Sequence, residues 1–115
     1  MTRVKGMHDV LADNVLYIER IMKESRRVAE FYGFNCIMTP HLEHAELFSR
    51  TLGESTDVIE KQMYSFRTRG GDRLALRPEG TAPLMRAYVE HGMQSMPQPV
   101  KLFYSGSFFR HETPQ

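Results

Sequence analysis

The sequence predicts an α+β domain built on a mixed, largely antiparallel sheet with flanking helices. Three observations lead there. Residues 15–32 repeat apolar side chains at helical spacing, and two short β-rich runs flank a turn sequence as the arms of a hairpin do. Helical and extended patterns also do not alternate in the regular βαβ order that a parallel sheet requires. At 115 residues one domain is expected, within the usual ~50–250.

In chain order, Val15, Ile18, Met22, Ala29 and Tyr32 form one helical stripe, with Glu19, Lys23, Glu24, Arg26 and Arg27 mainly between them. Asp13 or Asn14 is expected to cap its start, and Gly33 to supply the left-handed residue that ends it. Residues 34–38 read as a strand stopped by Thr39-Pro40, because proline cannot donate to a central ladder. Residues 41–50 read as one or two short helical turns. Residues 63–66 and 73–76 flank Arg69-Gly70-Gly71-Asp72, whose glycines permit the positive φ of a hairpin turn. After Pro83, Leu84, Ala87 and Tyr88 predict a helix ending at Gly92, and residues 94–99 a loop. Residues 100–104 and 108–112 read as two strands separated by Ser105-Gly106-Ser107.

Composition narrows the function. With 41% hydrophobic residues and a net charge of +1, the chain is globular, and any nucleic-acid contact must be local because a wholly electrostatic binder would be strongly basic. The longest apolar run, Val15 to Ile18, is far below the ~20 residues that span a bilayer, so no membrane partner is expected. The N-terminus carries Arg3 and Lys5 without a secretory apolar stretch. A single cysteine, Cys36, cannot form an intrachain disulfide and fits a reducing, cytoplasmic location; within its apolar strand it reads as a buried structural thiol. The eight methionines are expected to fill gaps in the core.

Neither a Rossmann turn nor a phosphate loop is present, so nucleotide handling would fall to side chains. On the strand Phe108-Phe109-Arg110-His111-Glu112, Arg110 and Glu112 share a face. They could grip a phosphate and an exocyclic amine, or form an ordinary solvated ion pair. In Leu76-Arg77-Pro78-Glu79-Gly80-Thr81, Glu79 and Thr81 could hold an ammonium group, with Gly80 admitting a small ligand to the backbone. The alternative is structural, with Thr81 as helix cap and Glu79 at the positive end of the helix dipole. His41 and His44 stand three apart, but no third or fourth ligand is evident, and no metal site is expected.

Five segments in order resemble the histidyl-tRNA synthetase family of class II aminoacyl-tRNA synthetases. Lys5-Gly6-Met7-His8-Asp9-Val10-Leu11 resembles its opening signature, residues 34–40 motif 1, and residues 53–61 with Met63-Tyr64-Ser65-Phe66 the segment that follows. Residues 76–82 resemble the histidine-binding turn, and Phe109-Arg110-His111-Glu112-Thr113-Pro114-Gln115 the start of motif 2. Two positions depart from the pattern: Ala12 stands where proline is usual, and His8 where Arg or Asn is common.

The resemblance implies a single partial catalytic domain over residues 1–115, without motif 3 or the anticodon-binding domain. It implies that Glu79, Gly80 and Thr81 bind histidine, that Arg110 bridges the histidine carboxylate and the α-phosphate of ATP as the catalytic residue, and that Glu112 meets the adenine amine. ATP with Mg2+, tRNA(His) and a homodimer follow for the whole enzyme, and an inactive isolated fragment for this chain. A noncatalytic relative, such as the regulatory subunit of ATP phosphoribosyltransferase, is the alternative that a dimerising or histidine-sensing role would favour.

Overall fold

The computed structural model describes residues 1–51 and 60–112. Residues 53–59 of the third resembling segment and Thr113, Pro114 and Gln115 lie outside the described residues.

Helix α1 spans Ala12–Phe31. It begins three residues before the apolar stripe, so Leu11 takes the cap position without a side-chain bond, and Asp13 lies in the first turn instead of capping it. Asp13 is still favoured there by the positive helix end. The other end is as expected: Gly33 has φ +79°, its N–H reaches the Glu30 carbonyl at 3.0 Å, and the Phe34 N–H reaches Ala29 at 2.9 Å. This is the paired closure that a left-handed residue makes possible.

The chain continues into β1 (Asn35–Cys36), which pairs in parallel with β5 (Leu102–Phe103), Asn35 opposite Leu102 and Cys36 opposite Phe103. Both are shorter than the sequence suggests. Cys36 is exposed, not buried, because among the described strands only β5 pairs with β1.

The second sheet is antiparallel in the order β2-β4-β3, with β2 at Leu42–His44, β3 at Ser65–Arg67 and β4 at Arg73–Leu76. Residues 42–44, read from sequence as helical, are therefore a strand: Leu42 faces Leu76 and His44 faces Leu74 across the ladder. The helix begins only at Ala45, as α2 (Ala45–Thr51). The hairpin forms as expected, Ser65 opposite Ala75 and Arg67 opposite Arg73, and its turn is closed by the Thr68 N–H on the Asp72 carbonyl at 2.9 Å. Helix α3 spans Thr81–Glu90 and is followed by Gly92 at φ +63° and a single 3-10 turn, Met93–Ser95.

The core lies where α2 packs on the antiparallel sheet and α3 packs on α2: Ala45, Phe48, Met63, Ala75 and Ala82, with Leu47 against them. Small alanines on three elements let backbones approach around Phe48, which is fully buried. Met63 is the only methionine among these core residues; Met22, Met38, Met85 and Met96 are exposed, contrary to the expectation that they fill gaps. They sit on faces that nothing described covers. Helix α1 likewise buries none of its residues and meets the rest mainly through β1. Among the described residues no helix is long and apolar enough to cross a membrane.

Candidate functional site

Residues 108–112 do not join a ladder as a strand. Their extended backbone is instead tethered at alternate residues to two separate partners, the Phe109 N–H on the Arg77 carbonyl at 3.0 Å and the His111 N–H on the Gln62 carbonyl at 2.7 Å. Bonding through alternate amides fixes the rotation of the segment about its axis, and Arg110 and Glu112 emerge together. Arg110 Nε lies 3.7 Å from Glu112 Oε1, with 57% and 60% of the two side chains exposed. At that distance and exposure the pair holds itself weakly, and both groups keep donors and acceptors free for a ligand.

Both line a cavity of about 430 Å³, together with Lys5, Gly6, Met7, Tyr64 and His111. The opening segment is folded onto itself by the Arg3 Nε–Met7 carbonyl bond at 2.8 Å and the Met7 N–H on Val4 at 3.1 Å, which brings Lys5 to the same cavity. Lys5 and Tyr64 were not singled out as site residues from sequence; their place here depends on folding that no local spacing announces.

Glu79, Gly80 and Thr81 do not line that cavity; they form the start of α3. The structural role belongs to Glu79 and not to Thr81. Glu79 accepts from the Thr81 N–H and, at 3.0 Å, from the Ala82 N–H, while Gly80 occupies the cap position and Thr81 is exposed. A carboxylate across the first amides of a helix satisfies orphan donors and meets the positive dipole end. It retains acceptor directions beyond those amides, so capping and ammonium binding do not exclude each other. Gly80 is buried, and a Cβ there would stand 2.2 Å from Tyr104 Cε2, so the missing side chain makes room for that ring. His41 stacks edge-on to Phe109 at 6.1 Å. Among the described residues no group of three His, Cys, Asp or Glu could hold a metal.

Two buried charges were not foreseen. Glu43, 7% exposed, receives Arg86 through Nη2 at 2.8 Å and Nε at 2.9 Å, and Arg86 also binds Glu90. The Glu43 hydrogen bond, together with its charge and that of Glu90, raises the Arg86 pKa against the opposing effect of burial. Arg77 is 5% exposed and anchors the turn that leads to Glu79. A larger groove of about 600 Å³ lies elsewhere, between α1 and the parallel pair, with Val28, Ala29, Tyr32, Phe34, Leu102 and Phe103 on its walls. Its apolar character suits packing better than phosphate chemistry.

The antiparallel sheet with helices packed about it is the arrangement of a class II aminoacyl-tRNA synthetase catalytic domain. Solved structures agree: the apo histidyl-tRNA synthetase of S. aureus superposes with a TM-score of 0.83 at 35% identity, over 96% of this chain and 29% of that one. A Bacillus halodurans protein described as an ATP phosphoribosyltransferase regulatory subunit/histidyl-tRNA synthetase gives 0.80 at 25% identity, over 97% of this chain and 28% of that one. The family model described as Histidyl-tRNA synthetase matches residues 6–115, and the chain belongs to that family. Among its relatives, the histidine–tRNA ligase of Dehalococcoides mccartyi is 49% identical over 111 residues, 96% of this chain, and that of Pelotomaculum thermopropionicum 48% over 114 residues, 99% of it. The chain spans 27% of the length of each.

Proposed function

We propose that these 115 residues are the N-terminal part of the catalytic domain of a cytoplasmic, homodimeric histidine–tRNA ligase, which joins histidine to ATP as histidyl-adenylate and passes it to tRNA(His). The observation that carries this reading is the placement of Arg110 and Glu112 on one side of a tethered segment, facing one cavity. Attack of the histidine carboxylate on the α-phosphorus, which breaks the α–β phosphoanhydride bond and releases pyrophosphate, brings two anions together. A fixed guanidinium aligns them and meets the charge that grows in the transition state, while Glu112 accepts from the adenine amine. Glu79, held by the α3 amides, offers a fixed carboxylate to the histidine ammonium, with Thr81 adding a hydroxyl oxygen. Magnesium arrives with ATP. Held with the phosphates, it would offset part of their negative charge.

The chain spans 27% of the ligases it matches, and loss of positioning alone costs orders of magnitude in rate, so the 115 residues by themselves are expected to give no pyrophosphate exchange. The test is histidine-dependent ATP–pyrophosphate exchange by a chimera in which these residues replace the matching stretch of the D. mccartyi ligase. Exchange by the chimera, and none by the 115-residue chain, is expected. A folded chimera that binds histidine but never exchanges pyrophosphate would favour the regulatory, histidine-sensing alternative to which the B. halodurans match also points.

A further inference from the structure

Arg77 is a buried arginine with no carboxylate partner among the described residues. Its Nε donates to the Ser107 carbonyl at 3.0 Å, and its Nη1 donates to the Thr39 carbonyl at 3.0 Å and to Thr39 Oγ1 at 2.9 Å. Its Cζ lies 5.1 Å from the centre of the Phe108 ring. A Cβ on Gly106 would stand 2.5 Å from Arg77 Nη2, so a side chain there would push the guanidinium tip from its place. The backbone of Arg77 is committed as well, its N–H to His41 at 2.9 Å and its carbonyl to Phe109 at 3.0 Å. Burying a permanent charge against neutral oxygens is expensive, and an apolar residue would fill the same space more cheaply. What an apolar residue could not do is bond two separate segments at once. A planar fork can reach Ser107 and Thr39 at once while its face packs on Phe108.

We propose that Arg77 is a positioning residue that sets the orientation of Arg110 by clamping the segment leading to it, residues 107–109, against Thr39, three residues past the end of β1. The clamp holds Ser107 through the guanidinium and Phe109 through the carbonyl, the two odd-numbered residues that precede Arg110. Arg77 also precedes Pro78-Glu79 in the chain, so one residue fixes the spacing between the ammonium-facing and phosphate-facing halves of the site. The inference rests on the role proposed above for Arg110.

The test uses the chimeric ligase with Arg77→Lys, which keeps the charge and loses the fork, and with Thr39→Val, which deletes one acceptor while preserving volume. Single-turnover adenylate formation by Arg77→Lys should fall about 10- to 100-fold, the scale of an ångström-sized misplacement, with histidine affinity nearly unchanged. In an Arg110→Ala background the same substitution should cost nothing further, since there is no guanidinium left to aim. Thr39→Val should show a smaller loss of the same kind, and it decides the matter if Arg77→Lys does not fold. An unchanged rate, or an equal loss with and without Arg110, would overturn the proposal. If the unsubstituted chimera forms no adenylate, the proposed function fails, and amide exchange of the 115-residue chain decides Arg77 alone. Faster exchange at Phe109 in Arg77→Lys, with the α3 amides unchanged, supports the clamp; unaltered exchange at Phe109 overturns it.

Discussion

Glu43 occupies the middle of β2 and turns its carboxylate inward, where the Arg86 guanidinium from α3 meets it with two nitrogens. Only 6% of the Glu43 side chain and 28% of the Arg86 side chain is exposed. Removing the arginine would leave a buried carboxylate unmatched, so Arg86→Met should destabilise the fold by about 3 kcal/mol, read from urea midpoints at constant slope. A change within about 0.5 kcal/mol would show the pair to be no stronger than an exposed one. Because the folded pKa of Arg86 is raised, its contribution is complete below the ordinary arginine value and is lost only as pH climbs through the folded one. It adds no pH slope near neutrality. None of this was legible in the sequence, since positions 43 and 86 meet only through the packing of α3. The same holds for Arg77, whose acceptors Thr39 and Ser107 lie on distant segments. Glu79 and Thr81 were legible as a pair at a helix start, but the capping role fell to the longer side chain one residue before the cap position.

Among the elements, those with local punctuation followed the sequence: α1 ends just before Gly33, the hairpin turns over Gly70-Gly71, and α3 ends just before Gly92. The parallel β1–β5 pair was not foreseen, because pairing across 67 positions has no local mark. Its shortness leaves Cys36 exposed, and α1 keeps Leu16, Tyr17, Ile21 and Phe31 in solvent. An exposed apolar face of this kind is what a second copy would cover, as the resemblance to motif 1 implies. Sedimentation should show a concentration-dependent dimer, and labelling of Cys36 by a soluble thiol reagent should slow as the dimer forms. A monomer at every concentration, with Cys36 labelled at one constant rate, would count against association through this face.

At the scale of the whole molecule, the described core is a handful of residues around Phe48, while the long first helix and the arginine-bearing segment lie outside it. That distribution fits a stretch that covers 27% of its relatives' length, and it separates what holds this part together from what it is proposed to do. In the function proposed above, Arg110 serves the chemical step and Glu79 the capture of histidine. Pre-steady-state adenylate formation by the chimeric ligase, with histidine and ATP varied separately and folding checked by circular dichroism, tests it most directly. Arg110→Ala should raise the barrier of the chemical step by about 2 to 4 kcal/mol, the scale of losing one preorganised donor. Glu79→Gln, which keeps shape but deletes charge, should weaken histidine binding while ATP binding in the absence of histidine stays nearly constant. If Glu79→Gln binds histidine normally while α3 loses stability, Glu79 is a helix cap and nothing more, and the division of labour between the two residues is wrong.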